Sequence, residues 1–201
     1  MTLALPTSHI ALNTTLYRIV QTARRSSGAL FFGPLAGDAP AGRFDSATSA
    51  FRVCYLAESE RGAFAESLLR RATLPDPVSG IRVVAMRDVA ARAWAVTTTT
   101  RALRLADLRG GAGLSAIGVT GAVTMGDSHV ESRRISDRIH ALDESIDGIH
   151  FRARHDPDEG AIALFDRAAD ALAPVVTLEP LLDNLSRLGV VLDYYRIGID
   201  E

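Results

Sequence analysis

Apolar and polar residues alternate over Leu16–Val20, with Tyr17 and Ile19 on one side and Leu16 and Arg18 on the other, the period of a strand. Ala29–Phe32 reads as a turn or strand before a loop from Gly33 to Gly42 rich in Gly, Pro, Ala and Asp. A β-branched and aromatic run predicts a strand over Arg52–Ala57. From Ser59, a residue suited to an N-cap, the period becomes helical. Phe64, Ala65, Leu68 and Leu69 share one side of the wheel, and the pattern runs to about Arg71 before Pro75 stops it. Further strands are expected at Ile81–Met86, Val89–Val96 and Leu103–Leu108, with Thr97–Thr100 as strand edge or loop and Gly110–Gly113 as loop. Glu131–Leu142 reads as a helix. Gly148–Arg152 and Ala161–Phe165 read as strands joined by a polar turn at His155–Asp158. Val175–Thr177 adds a strand, Leu178–Leu188 a helix closed by Gly189, and Val190–Arg196 a last strand. Short strands mixed irregularly with a few helices predict one α+β domain over residues 1–201, not a doubly wound βαβ array.

Composition narrows the chemistry. Apolar residues at 47% and charged residues at 23% are those of a globular chain. A net charge of −2 gives no bulk attraction to DNA, RNA or an anionic membrane, so no direct nucleic-acid partner is expected. All 22 basic residues are arginines, which removes Schiff-base and P-loop chemistry, since both need a lysine amine. The single cysteine, Cys54, falls in an apolar stretch and fits a reducing compartment. No apolar run approaches the ~18 residues of a membrane span, and Met1–Asn13 lacks the form of a signal peptide. The expected location is the cytoplasm.

Three side chains stand out. Glu66 sits beside Leu69 at the margin of the apolar stripe, where a carboxylate reaches a cleft while partly desolvated and suits stabilisation of a developing cation; the alternative is a surface pair with Arg70 at i+4. Arg18 shares a strand face with Leu16 and needs a partner there, either a ligand phosphate held bidentately or one of the 24 acids in a core-edge ion pair. Arg43 ends the Gly-rich loop, a common place for ligand contacts, and is otherwise an exposed arginine. His129, His140, His150 and His155 lack metal-ligand spacing, so no metal is expected. The Gly110–Gly113 run is not a dinucleotide fingerprint, and no GxSxG elbow occurs.

Five segments in order resemble the RES-domain family, named for arginine, glutamate and serine. They are Leu16–Val20 (LYRIV), Gly42–Asp45 (GRFD), Val53–Glu66 (VCYLAESERGAFAE), Leu103–Leu108 (LRLADL) and Asp147–Arg167 (DGIHFRARHDPDEGAIALFDR). The match spans about 16–167, with a C-terminal helix and strand over 168–201. One departure stands in the last block: where the family usually has serine, this chain has Ala153, and Ser132 or Ser136 is placed to substitute for it only in space.

The resemblance implies a fold similar to ADP-ribosyltransferases and cleavage of the nicotinamide–ribose bond of NAD⁺, a substrate here and not a resident cofactor. It casts Glu66, Arg18 and Arg43 as catalytic residues. Tyr17, Phe44, Tyr55, Arg152 and Ala153 are its NAD⁺-binding positions. The implied acceptor is water or phosphate, making a glycohydrolase or phosphorylase. A protein acceptor would make a transferase, and loss of chemistry through Ala153 would leave a binding module. The implied partners are an Xre-like helix-turn-helix antitoxin and a second copy in a homodimer.

Overall fold

In the computed structural model, residues 5–23, 28–34, 42–175 and 177–200 are described. Most of the Gly33–Gly42 loop therefore lies outside the described residues.

The fold is built on an eight-stranded mixed sheet. Its strands, in spatial order, are β1 (Thr7–Ile10), β6 (Leu103–Asp107), β7 (Gly148–Ala153), β8 (Asp156–Phe165), β3 (Val53–Ala57), β2 (Thr15–Gln21), β5 (Arg92–Thr98) and β9 (Thr177–Pro180). Only β6 and β7 run parallel within it. A separate parallel pair joins β4 (Arg82–Ala85) to β10 (Ile197–Asp200). Helices are α1 (Glu60–Ser67), α2 (Met86–Ala90), α3 (Gly111–Ala116), α4 (Ala122–Met125), α5 (Val130–Leu142) and α6 (Leu185–Tyr195). Scattered strands and helices in one mixed-sheet domain make this an α+β fold. Among the described residues no helix is long and apolar enough to cross a membrane.

The centre of the sheet shapes the cleft. β3 is hydrogen-bonded to β8 along its whole length, Val53–Ala57 against Phe165–Ala161. Its contact with β2 is a single register pair, Tyr17↔Ala57. β2 instead pairs over seven residues with β5, from Thr15↔Thr98 to Gln21↔Arg92. The sheet thus splays between β2 and β3. At the far end of β3 its edge is taken by Gly33, which exchanges both main-chain hydrogen bonds with Val53.

Ser59 caps α1, its side chain accepting from the Gly62 N–H. Phe64, Ala65, Leu68 and Leu69 are all buried, in one cluster with Ala57, Trp94, Ala153, Leu188 and Val191. This packing fixes α1 over one face of the sheet, and a turn of 3₁₀ helix at Leu69–Arg71 ends it.

Several elements differ from the pattern reading. Gly110–Gly113 opens α3 instead of forming a loop, and Gly113 lets that helix approach β6: a Cβ there would lie 1.7 Å from the Asp107 carbonyl oxygen. The strand expected at Val89–Val96 is divided, α2 holding Val89 before β5 begins at Arg92. The hairpin turns at Arg154-His155, and Asp156–Asp158 already belong to β8. Gly189 does not close a helix. The α6 stripe Leu188, Val191, Leu192 and Tyr195 carries the helix past it, and Arg196 adopts the left-handed cap at φ 53°. Burial of that stripe outweighs the ~1 kcal/mol glycine penalty, and the expected strand Val190–Arg196 is helix, the strand following at Ile197. β9 takes Thr177–Pro180, where the start of the helix was expected.

Candidate active site

A cavity of about 570 Å³ opens where β2 and β3 part, within the range of small-ligand sites. One face of α1 forms a wall: Ala63, Glu66 and Ser67 with Arg70 beyond, spaced i, i+3, i+4 and i+7. Tyr17 and Ile19 from β2 and Tyr55 from β3 supply the floor, and the β7–β8 turn adds Arg154 and His155.

Glu66 is mostly buried, and its Oε1 accepts the Arg154 main-chain N–H at 2.9 Å. Among the described residues no ion pair joins it to Arg70. Burial raises the carboxyl above the ordinary glutamate range; the Arg154 N–H and the charges of Arg43, Arg70 and Arg154 act in the opposite direction. The group is thus a desolvated carboxylate held by one main-chain donor and surrounded by guanidinium charge.

Arg18 fills the gap between the splayed strands. Its Nη1 donates to the Phe31 carbonyl at 3.0 Å and to Cys54 Sγ at 3.1 Å, and its guanidinium lies 4.3 Å from the Phe31 ring centroid. The partner of this arginine is therefore an aromatic face and a thiol, not the carboxylate that a core-edge ion pair would need. Burial pushes the Cys54 thiol up, with Arg18 opposing. Cys54 is a buried neutral thiol against the arginine.

Arg43 is buried, not exposed, and its Nη1 donates to the Val123 carbonyl at 3.1 Å. Burial, then the neighbouring Arg154, lowers its pKa. A compact clamp holds its turn. The Tyr55 hydroxyl accepts the Phe44 N–H at 2.8 Å and donates to Asp45 Oδ1 at 3.0 Å, while Asp45 Oδ2 accepts the Gly42 N–H at 2.6 Å. Burial first, and Asp45 second, raise the Tyr55 phenol well above its usual value, so it stays a donor. Gly42 is required: a Cβ would stand 2.3 Å from the Tyr55 hydroxyl. α5 braces the turn from behind through Arg133 Nε to the Gly42 carbonyl and Ser136 Oγ to the Phe44 carbonyl.

Glu66, Arg18, Arg43, Tyr17 and Tyr55 thus meet at one cleft from three separate stretches of chain. Phe44, Arg152 and Ala153 do not line it. Phe44 is wholly buried against Phe151, at 4.9 Å between ring centroids, and Arg152 is exposed on the sheet. Ala153 packs in the core behind α1, one residue before the N–H that holds Glu66. Ser132 and Ser136 are fully buried, bonded to the carbonyls of His129 and Phe44. Neither reaches the cleft.

Arg70, Arg154, His155 and Ser67 were not singled out as site residues by the sequence pattern. The signal for two of them was present: Ser67 and Arg70 continue the Ala63–Glu66 helix face. Arg154 contributes through its main chain, which leaves no side-chain signature.

A larger cavity, about 830 Å³, lies elsewhere around Arg101, Arg104, His140 and Arg167. Its three arginines are engaged, Arg101 with Asp147 at 2.8 Å, Arg104 with Asp143 at 2.7 Å and Arg167 with the His140 carbonyl at 2.6 Å, and none of the site residues faces it. Convergence of the candidate residues, not volume, selects the smaller cleft. Among the described residues no group of three or more His, Cys, Asp or Glu side chains is arranged to hold a metal ion.

The family model described as RES domain matches residues 15–183. Among solved structures, a chain of the M. tuberculosis MbcT-MbcA toxin-antitoxin complex is similar, with 19% identity and a TM-score of 0.59 over 89% of this chain and 91% of that one. No curated protein matches the chain.

Proposed function

The chain belongs to the RES-domain family, and from that premise we propose that it is a toxin that cleaves the nicotinamide–ribose bond of NAD⁺, transferring the ADP-ribosyl group to water or phosphate. The observation that carries this reading is the desolvated Glu66 carboxylate, fixed by the Arg154 N–H and facing a cleft ringed with arginines.

The chemistry fits that arrangement. Nicotinamide departs as a neutral molecule, taking the electron pair of the bond between C1′ and its ring nitrogen. The ribose is left with oxocarbenium character. Glu66 is placed to stabilise that positive charge and to accept a hydrogen bond from a ribose hydroxyl, a contact strengthened by exclusion of water. The acceptor oxygen then bonds to C1′ and its proton passes to solvent. Arg43 and Arg18 are assigned to the pyrophosphate, where a planar guanidinium forks onto two oxygens. Tyr55 and Tyr17 present ring faces to the dinucleotide, with the Tyr55 hydroxyl reserved for the Arg43 turn.

Ala153 removes no polar group from the cleft, because its side chain points into the core. That favours a working enzyme over a binding module. The reaction is assigned to the cytoplasm, where NAD⁺ is abundant. Likeness to a chain from a toxin-antitoxin complex supports an antitoxin protein as partner, and family resemblance makes that partner Xre-like and the assembly a homodimer.

The test is to incubate the purified protein with NAD⁺, with and without phosphate, and to identify the ribose product. ADP-ribose marks a glycohydrolase, and its 1″-phosphate a phosphorylase. Label found only on a protein acceptor moves the assignment to a transferase. NAD⁺ recovered intact under every condition contradicts the reading.

A further inference from the structure

The Arg154 N–H that holds Glu66 belongs to a short turn, Arg154-His155, between the paired residues Ala153 and Asp156. The Arg154 side chain ties that turn only to Asp127, whose carboxylate is almost wholly exposed, and an exposed pair of this kind holds little. Asp156 supplies a firmer tie. It is buried, a costly place for a carboxylate unless its oxygens are hydrogen-bonded. Oδ1 accepts the Asp158 N–H at 3.1 Å, and Oδ2 accepts the Tyr195 hydroxyl at 2.6 Å.

Tyr195 ends α6, and the same side chain touches α1. Its ring stacks on Phe64 at 5.8 Å between centroids and 13° between planes, and its oxygen lies 3.2 Å from the Arg61 carbonyl. Phe64 stands two residues before Glu66 on that helix. Tyr195 therefore joins the helix that carries the carboxylate to the turn that carries its donor. Phenylalanine would stack on Phe64 equally well, so the hydroxyl has no packing role. Its single proton goes to the charged acceptor, Asp156, which makes the stronger bond. Burial, then Asp156, pushes the phenol above its usual value and keeps it a donor. α6 begins past residue 183, where the family match ends, and Tyr195 does not line the cleft.

We propose that Tyr195 is a positioning residue for Glu66: through Asp156 it fixes the Arg154-His155 turn against α1 and so sets the Arg154 N–H on the carboxylate. This rests on the NAD⁺ reading above and adds to it a residue that never meets the substrate. With the tie cut, the turn shifts relative to α1, and Glu66 loses the donor that both aims it and favours its ionised form.

The experiment compares wild type with Tyr195→Phe, which keeps the ring and removes the hydroxyl, and with Asp156→Ala, which removes the other end of the bond. Tyr195→Phe should lower kcat for nicotinamide release about ten- to a hundredfold. KM should stay nearly unchanged, because the residues that grip NAD⁺ remain in place. The acid limb of kcat/KM should move to higher pH. The Arg154 N–H lowers the Glu66 pKa, and without it burial is opposed only by the charges of Arg43, Arg70 and Arg154. The same upward shift should appear when the Glu66 carboxyl carbon is titrated by NMR with no substrate present. Asp156→Ala should reproduce both effects, and the double variant should lose no more than either single one. Wild-type kcat in folded Tyr195→Phe, or a Glu66 titration left unshifted in it, overturns the proposal. A Tyr195→Phe chain that fails to fold overturns it too, since the fold itself would then need the hydroxyl. Wild type that leaves NAD⁺ intact overturns the NAD⁺ reading alone, and the carboxyl titration still decides the role of Tyr195.

Discussion

Burial raises the Glu66 carboxyl above the ordinary glutamate range, and this ties stability and activity to opposite sides of one titration. Between the unfolded and the folded pKa the folded state binds the extra proton, so the contribution of Glu66 to stability falls as pH rises through that window and stays lost above it. The ionised form that stabilises an oxocarbenium ion is thus the form that the fold tolerates least. Glu66→Gln should melt above wild type at neutral pH, by roughly 2–4 °C per kcal/mol recovered for a chain of this size; the melting curves should converge as pH falls below the ordinary glutamate value. Activity should show an acid limb displaced upward from that value, measured as kcat/KM against pH. Among the residues that carry these effects, Glu66 was legible because a charged residue at the edge of an apolar helix stripe is conspicuous. Arg18 was legible in part: strand alternation showed that it needed a partner, but not that the partner would be the Phe31 ring and Cys54.

The turn over Gly42–Asp45 is where local structure and chemistry meet most tightly. Tyr55 reaches it from β3 and α5 from behind, so Arg43 is aimed by groups distant in sequence. Tyr55→Phe keeps the ring in the cleft and removes the hydroxyl, which takes the acceptor from the Phe44 N–H and one donor from Asp45. Denaturant unfolding should show a loss of about 1–3 kcal/mol, with a higher KM for NAD⁺ and a smaller effect on kcat. Gly42→Ala should be more severe, since the new methyl group meets the Tyr55 hydroxyl and Asp45 and must displace the clamp. A Gly42→Ala protein with unchanged stability and KM would show that the clamp does not position Arg43. Elements with one dominant period and a clear cap, such as α1 behind Ser59, were legible in the chain. Two of those misread carried a misleading glycine: Gly113 signals close approach to β6 and Gly189 rides within α6, yet both resemble breakers until the packing partner is known.

At the scale of the whole molecule, the cleft exists because β3 gives its full edge to β8 and only one residue pair to β2. No periodicity encodes that splay, which depends on pairing between segments more than a hundred residues apart, so the convergence of Arg18, Arg43 and Glu66 could be inferred only through family resemblance. A ligand that bridges the gap binds the folded state alone. NAD⁺ should therefore stabilise Glu66→Gln, which keeps the cleft while slowing turnover, raising its melting temperature with concentration as the stabilisation reaches about 2.7 kcal/mol at a hundred times Kd. The measurement that bears most directly on the account is nicotinamide release from NAD⁺ by purified, folded wild type beside folded Glu66→Gln. Steady release by wild type, reduced about 100- to 1,000-fold in the variant, is the predicted result. Equal release by the two proteins, or none from wild type, would contradict the assignment of this cleft to NAD⁺ cleavage through Glu66.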